Sequence, residues 1–246
     1  MPTYREQGVV LRTAKLGEAD RIITVLTSRT GKIRAVAKGV RRTSSKFGGR
    51  LEPFSYVDLL VAEGRTLDTI TQVQTLAPFS KPLREDYSRY TVGEVMLETA
   101  DRLVAEEKQP ARRQYLLLLS ALQALAGAGS SGSLPPAVIL DSYLLRAVAI
   151  AGYSPVLGPC ARCADPGPHS LFSVQAGGTV CEKCRPGGSV RLGEGTLEYL
   201  QALLAGDWEA ASDADELSRS EASGVAAAFT SWYTEPGLRS LDHVQR

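Results

Sequence analysis

The chain has 246 residues, of which 43% are hydrophobic, so it is long enough to bury a core and to form one to three domains. Its net charge of +1 conceals an asymmetry, because residues 1–80 carry a net charge of +6 and residues 81–246 a net charge of −5. The start of the chain has no signal-peptide core, and the longest uncharged run, residues 114–140, is broken by Gly, Ser and Pro, which excludes a membrane span and leads us to expect a cytoplasmic protein.

The first third of the chain has the pattern of short β-strands separated by turn residues. β-branched residues are frequent, and glycines lie between or beside the runs. Five strands in about 75 residues are typical of a small closed barrel, either an OB-fold or an SH3-like barrel, and strand statistics alone do not separate the two. The predicted strands are residues 8–16, 20–28, 32–40, 55–63 and 67–76.

From residue 81 onward, apolar residues recur at helical spacing, so we expect an α-helical domain over residues 81–246 that follows a barrel domain over residues 1–80. A four-cysteine insertion, residues 157–190, interrupts the helical domain. The fold class is therefore α+β. The predicted helices lie within residues 81–104, 110–126, 135–153, 194–206 and 216–233.

A glycine- and serine-rich run, residues 127–133, has the composition of a flexible linker. Gly127, Gly129 and Gly132 match a dinucleotide-binding fingerprint literally, but that motif binds pyrophosphate only between a strand and the start of a helix. Here it follows a predicted helix, so we interpret it as linker. The sequence contains no P-loop, no HExxH zinc motif and no nucleophile elbow, and thus no positive indication of an enzyme.

All four cysteines lie in one segment with the spacing C-x2-C-x17-C-x2-C. Each C-x2-C turn brings two thiolates to one side, and a hairpin around Gly177 and Gly178 brings the two pairs together. This pattern predicts a closed, structural zinc site. Two disulfides or a redox dithiol are the alternatives, and His169 is an alternative ligand. The predicted ligands are Cys160, Cys163, Cys181 and Cys184.

Residues 31–50 contain seven basic residues and no acidic residue. In the predicted strand, basic and apolar side chains alternate, and the basic ones continue into a Gly/Ser-rich loop whose flexibility suits successive phosphates. Phe47 lies among them, and a positive groove with aromatic stacking is typical of single-strand binding. The alternative is a solvated edge strand. The predicted DNA-binding residues are Lys32, Arg34, Lys38, Arg41, Arg42, Lys46 and Arg50.

The N-terminal sequence resembles the RecO family of bacterial recombination-mediator and DNA-repair proteins. The runs GEADR, residues 17–21, and KGVRR, residues 38–42, are its most specific parts. The later runs AGYSPVLGPCARC and GGTVCEKC resemble the zinc-carrying members. The resemblance extends from about residue 8 to residue 184. Because the family includes members without the four cysteines, it supports a structural role for the zinc.

The resemblance implies an OB-fold followed by a helical domain, and a non-enzymatic function. It implies binding of single- and double-stranded DNA, annealing of complementary strands, and cooperation with RecR and single-stranded DNA-binding protein in the loading of RecA. We expect the helical domain, with Arg112, Arg113 and Arg146, to bind the acidic tail of that protein. The rival interpretation is a zinc-stabilised scaffold whose basic barrel binds an acidic protein surface. A nuclease is a weaker rival, because the basic domain has no visible carboxylate cluster.

Overall fold

The computed structural model describes residues 2–127, 134–234 and 237–244. Residues 128–133 of the predicted linker, including Gly129 and Gly132, lie outside these ranges. The described part of the chain has no helix that is long and apolar enough to cross a membrane. Contacts divide the chain into two compact units, Met1–Ser133 and Leu134–Arg246.

The first unit begins with a five-stranded barrel. The ladders join the strands in the closed order β1-β2-β3-β5-β4. This order is that of an OB-fold, which decides between the two barrel types left open by the sequence. All ladders are antiparallel except the short β3–β5 ladder, which pairs Ala35 with Asp68 and Val36 with Thr69. The strands are β1 Thr3–Leu16, β2 Asp20–Thr27, β3 Lys32–Ala37, β4 Ser55–Ala62 and β5 Asp68–Pro78.

The barrel interior is filled by the apolar side of the alternating strand pattern. Twelve buried residues form one cluster, ten of them on the strands and two, Phe47 and Leu51, from the segment that joins β3 to β4. Alternation explains why β4 reads buried, intermediate, buried along its length. The joining segment therefore contributes to the core of the barrel.

Three helices complete the first unit: α1 Ser80–Arg84, α2 Tyr87–Leu103 and α3 Arg112–Leu125. The first predicted helix is divided in two, because Asp86 has extended backbone and its side chain accepts a hydrogen bond from the Arg89 N–H, which starts a new helix. The buried ring of Phe54 packs against α2 at Gly93, where any Cβ would lie 2.7 Å from the ring. The helices α1–α3 thus belong to the same compact unit as the barrel.

The second unit contains α4 Pro136–Ile150, α5 Thr196–Ala205, α6 Trp208–Ser212 and α7 Glu216–Tyr233. Between α4 and α5 lies a small antiparallel sheet in the order β7-β6-β8, formed by Leu171–Ser173 (β6), Gly178–Val180 (β7) and Val190–Arg191 (β8). We call residues 151–195 the ribbon segment. The hairpin predicted between the two cysteine pairs is therefore present.

The predicted domain boundary at residue 80 separates the barrel from its following helices. By contacts, α1–α3 belong to the same compact unit as the barrel, Met1–Ser133, because α2 and α3 pack on the barrel. The predicted boundary at residue 80 implies that residues 1–80 fold without α1–α3, and melting of truncated fragments tests this.

Candidate nucleic-acid interface and metal site

The seven predicted DNA-binding residues do not form one surface. Lys32, at the start of β3, is only 7% exposed. Its Nζ donates to the Asp101 carbonyl oxygen at 2.7 Å and lies 2.9 Å from Asp101 Oδ1, at the end of α2. The Lys108 N–H also donates to the Lys32 carbonyl at 2.8 Å, and Lys32 forms a β-bridge with Glu107. Residues 107–108 therefore pair with the start of β3, before the β3–β5 ladder begins. Lys32 therefore stabilises the first unit and is not offered to an external phosphate.

Arg34 lies beside the same segment, the connection between α2 and α3. Its guanidinium lies 3.2 Å from Glu107 Oε1, and both side chains are more than one-third exposed. An exposed pair of this kind contributes little to stability. Arg34 is thus reachable from solvent, but it already has a carboxylate partner.

The other five cations lie on the segment between β3 and β4, and we call residues 38–50 the basic loop. All five side chains are exposed. Within residues 2–127, 134–234 and 237–244, none of them forms an ion pair with a carboxylate. The basic loop thus exposes uncompensated positive charge. Its cations are Lys38, Arg41, Arg42, Lys46 and Arg50.

The basic loop contacts the barrel near both of its ends, whereas its flexibility stays a prediction. At its start, the Gly39 N–H donates to Asp20 Oδ1 at 2.7 Å. At its end, Phe47 and Leu51 are 1% and 2% exposed and lie in the barrel core. The Gly/Ser-rich composition indicates mobility, but it does not show these tertiary contacts of the backbone and of Phe47. The backbone that carries the cations is therefore attached to the barrel at more than one place.

Phe47 is not available to stack on a base. Its ring is inside the barrel, and the nearest cation is Lys46, whose Nζ lies 5.0 Å from the ring centroid. The prediction that Phe47 supplies aromatic stacking was wrong, because the residue serves as the hydrophobic anchor of the loop.

Sequence reasoning gave no role to Asp20, although it lies in the GEADR run. The β1–β2 turn contacts the basic loop through Asp20, through the Ala19 carbonyl and through the carbonyls of Gly17 and Glu18. The only signal in the sequence was that GEADR and KGVRR are the most specific parts of the family resemblance. Their direct contact gives a physical reason for that pairing.

The four cysteines converge at the base of the ribbon segment. Their Sγ atoms all lie within 4.8 Å of one another, and Cys163 Sγ is 3.8 Å from Cys181 Sγ. Four thiolates bound tetrahedrally at about 2.3 Å from a zinc ion would have sulfur atoms about 3.8 Å apart. A disulfide requires about 2.05 Å. The arrangement therefore fits a shared metal ion and does not fit two disulfides.

Backbone geometry positions each pair of cysteines. The Cys160 N–H bonds to the Asp165 carbonyl at 2.9 Å, and the Ala164 N–H bonds to the Cys160 carbonyl at 2.9 Å, which closes the first turn. The second turn is closed by a 3.1 Å bond from the Cys184 N–H to the Cys181 carbonyl. The Ala161 N–H joins the two halves through the Thr179 carbonyl at 2.7 Å. The two turns are thus held together by the hairpin.

Hydrogen bonds within the cluster shift the pKa values of Cys160 and Cys184 in opposite directions. A hydrogen bond from the Cys181 backbone N–H is the main cause that lowers the pKa of Cys160 to about 6. Contacts with the thiols of Cys163 and Cys181 raise the pKa of Cys184 to about 12. The Cys160 thiolate therefore forms more readily than the Cys184 thiolate, and a cation bound by all four sulfur atoms would displace the remaining protons.

His169 does not join this cluster. Its Nε2 lies 3.1 Å from the Asp165 carbonyl oxygen and 3.5 Å from Asp165 Oδ2. Among the described residues, the group able to hold a metal consists of the four cysteines alone. An all-thiolate set has no open position for a reacting water, which is typical of a structural site.

Comparison with known proteins finds matches for both the N-terminal and the C-terminal part of the chain. Residues 1–79 match the family model described as Recombination protein O N terminal, and residues 84–242 match Recombination protein O C terminal. The chain is 54% identical to the DNA repair protein RecO of Frankia casuarinae, 53% to that of Cutibacterium acnes and 52% to that of Thermobifida fusca. Each comparison covers 100% of both chains. The chain therefore belongs to the RecO family of DNA repair proteins.

Proposed function

We propose that this protein is a non-enzymatic recombination mediator whose basic loop binds single- and double-stranded DNA. In this proposal it anneals complementary strands and works with RecR to load RecA onto DNA that is covered by single-stranded DNA-binding protein. The observation that carries the proposal is the basic loop, with five exposed cations and no ion pair to a carboxylate among the described residues. We place the protein in the cytoplasm, at the nucleoid when it is bound to DNA.

The proposed mechanism rests on phosphate charge. Contacts from Lys and Arg to phosphates hold a strand without reading its sequence. Two complementary strands repel each other through their backbones, and cations that neutralise some of this charge lower the repulsion. A fixed loop also loses less conformational entropy on binding than a mobile one. These properties suit a protein that must act on any sequence.

A charge-reversal variant of the basic loop tests the proposal. We expect Lys38→Glu/Arg42→Glu to weaken binding to unrelated oligonucleotides by similar factors and to slow annealing. The matched control is Lys81→Glu/Arg113→Glu, which makes the same charge change at exposed helical positions of the same unit. Gel-shift and annealing assays measure the outcome, and circular dichroism verifies folding.

The same assays also distinguish the proposal from the rival interpretation. If the folded basic-loop variant bound and annealed DNA as the parent does, the cations would serve another partner. A parent protein that failed to bind a bare oligonucleotide would favour a scaffold that binds an acidic protein surface.

For the acidic tail of single-stranded DNA-binding protein, we propose a site within residues 81–246. Arg112 and Arg113 are exposed on α3 in the first unit, whereas Arg146 is half-buried on α4 in the second unit, beside Gly206. Tail-peptide affinity should fall for Arg112→Glu/Arg113→Glu if α3 carries the site, and for Arg146→Glu if α4 does. A peptide that bound residues 1–80 as tightly as the whole chain would contradict the proposal.

We further propose that the metal is zinc, one ion per chain, held by the four cysteines in a structural role. The sulfur spacing of 3.8 Å and the all-thiolate ligand set support this assignment. Elemental analysis of protein purified without added metal tests it. A zinc content near zero, with four freely reactive thiols, would contradict it.

A further inference from the structure

The turn between β1 and β2, together with the first residue of β2, forms hydrogen bonds with the start of the basic loop. The Gly39 N–H donates to Asp20 Oδ1 at 2.7 Å, and the Arg41 N–H donates to the Ala19 carbonyl at 3.0 Å. The Arg41 guanidinium donates to the Glu18 carbonyl at 2.8 Å. Three successive residues, Glu18 and Ala19 of the turn and Asp20 at the start of β2, thus contact the loop within three residues of its start.

Gly39 makes this contact specific. Its φ of 67° lies in the left-handed region, which favours glycine, and there the chain leaves the β2–β3 ladder. The Arg42 N–H bonds back to the Gly39 carbonyl at 3.1 Å, so the orientation of the Gly39 peptide fixes the position of Arg42. Lys38 directly precedes this peptide. Asp20 therefore controls the backbone between two exposed cations.

The cations of the basic loop differ in how they are used. Arg41 donates to two carbonyl oxygens of the turn, Lys46 donates to the Thr71 carbonyl at 3.0 Å, and Arg50 donates to the Lys46 carbonyl at 3.1 Å. No side-chain hydrogen bond or ion pair holds Lys38 or Arg42 within the described part of the chain. These two side chains are the ones most free to turn to a phosphate.

We propose that Asp20 is a positioning residue for nucleic-acid binding: by accepting the Gly39 N–H it presets the basic loop so that Lys38 and Arg42 face the same phosphate backbone. The inference rests on the proposed function, since it explains how that same loop meets its ligand. Arg41 acts with Asp20, because its hydrogen bonds also join the loop to the turn. Its guanidinium is therefore partly occupied by protein carbonyl oxygens.

An account based on charge alone and an account based on positioning of the loop predict opposite changes in DNA affinity when the Asp20 carboxylate is removed. Asp20 carries a negative charge beside a surface that binds an anion, so deletion of this charge should strengthen DNA binding if charge alone matters. If Asp20 positions the loop, its deletion should weaken binding although the net charge becomes more positive. The direction of the change therefore separates the two accounts.

The test compares four full-length variants in titrations with a labelled single-stranded oligonucleotide. We expect Asp20→Ala to weaken binding by about three- to tenfold, the factor that corresponds to the loss of one hydrogen bond. Asp20→Asn keeps an acceptor at the same position and should bind as tightly as the parent or more tightly. Glu18→Ala, at an exposed acidic side chain of the same turn, should also bind at least as tightly as the parent. Thermal melts verify folding, and Asp20→Ser replaces Asp20→Ala if the latter does not fold, since a serine hydroxyl is too short to reach.

Two results would overturn the inference: an Asp20→Ala protein that binds as tightly as the parent or more tightly, or an Asp20→Asn protein as weak as Asp20→Ala. The variant Lys38→Glu/Arg42→Glu separates this failure from a failure of the proposed function. If it weakens binding while Asp20→Ala does not, the loop binds DNA without help from Asp20. If neither weakens binding, the proposed function itself fails.

Discussion

Asp101 receives two cations from the barrel. Lys32 Nζ lies 2.9 Å from one carboxylate oxygen, and Arg12 Nε lies 2.6 Å from the other. Burial alone would raise the pKa of Asp101, but the hydrogen bonds from Arg12 and Lys32 outweigh it and hold the pKa below its ordinary value. The carboxylate therefore stabilises the folded state at any pH above its unfolded pKa, about 3.9, and this contribution is lost as the pH falls through the folded pKa.

Replacement of Asp101 by Asn should destabilise the protein at pH 7 by about 2–3 kcal/mol. This is below the 3–5 kcal/mol typical of breaking a fully buried ion pair, because the Asp101 side chain is one-fifth exposed. The loss is still substantial, because the Lys32 ammonium group stays buried without its partner carboxylate. The difference from the parent should shrink as the pH falls below about 4. Urea unfolding at a series of pH values measures it. A difference that is constant from pH 7 to pH 3 would show that charge is not the cause.

Phe47 gives a second prediction for a single residue. Phe47→Ala should lower the free energy of unfolding by about 3–5 kcal/mol, because it leaves a cavity in the barrel core. The control Arg42→Ala, at an exposed loop position, should change it by less than about 0.5 kcal/mol. If Phe47→Ala kept the stability of the parent and lost only DNA affinity, the stacking role assigned from the sequence would be restored.

The residues also show where sequence reasoning ends. Alternation along β3 correctly placed Ile33, Ala35 and Ala37 in the barrel core. It could not show that Lys32 would be buried, because the partner, Asp101, lies 69 residues further along the chain. Periodicity describes a strand and its two faces, whereas the identity of what covers each face depends on tertiary contacts.

At the scale of elements, the ribbon segment is joined to helices by a chain of aromatic rings. Phe172 on β6 contacts Phe229 on α7 with ring centroids 5.9 Å apart, and Phe229 contacts Tyr233 at 5.0 Å. Tyr233 in turn stacks on Tyr153, at the start of the ribbon segment just after α4, at 4.4 Å. Order in the ribbon is therefore coupled to the ends of α4 and α7.

If the four cysteines hold a metal ion, as proposed, its removal should affect more than the cysteines themselves. We expect Cys163→Ser, or chelation of the parent, to lower the Tm by about 5 °C or more, since 1 kcal/mol shifts the Tm of a chain of this size by about 2–4 °C. The near-ultraviolet signal of the tyrosines should fall with it, because the aromatic contacts loosen. Arg162→Ala, at an exposed position between two ligands, is the control and should leave both unchanged. An unchanged Tm after complete metal removal would contradict a structural role.

The bounds of most elements could be predicted from the sequence. The predicted strand at 20–28 is Asp20–Thr27, and the predicted helix at 216–233 is Glu216–Tyr233. The features that were not predicted include the helix α6, whose five residues are too few for a periodic pattern, and the early start of β1 at Thr3. The run TYREQ has few apolar residues, but it pairs with β4 from Thr3 to Gln7. Backbone pairing, which leaves no hydrophobic signal, decides such cases.

The cysteine spacing predicted the cluster because C-x2-C turns have a narrow range of geometries. The basic loop was predicted in composition but not in conformation. Its anchors, Asp20 and Phe47, have ordinary side chains whose partners are set by the closed barrel. The candidate site was thus predictable where chemistry depends on local spacing, and not where it depends on contacts across the fold.

At the scale of the whole molecule, the first unit should fold as barrel plus helices. We expect a fragment of residues 1–133 to unfold cooperatively and a fragment of residues 1–80 to be much less stable. The shorter fragment loses the partners of Lys32 and exposes the ring of Phe54, which packs on α2. Circular dichroism melts of both fragments measure the difference. Equal melting temperatures would show that the barrel needs no helices, as the boundary predicted at residue 80 implies.

The central claim is that the exposed cations of the basic loop bind phosphates, and the salt dependence of single-strand binding tests it most directly. If about four cations contact phosphates, the slope of log affinity against log salt should be about −3, from about −0.7 per phosphate. For Lys38→Glu/Arg42→Glu, which removes two contacts, the slope should be about −1.5. A parent slope near zero, or equal slopes for the parent and the folded variant, would contradict the claim.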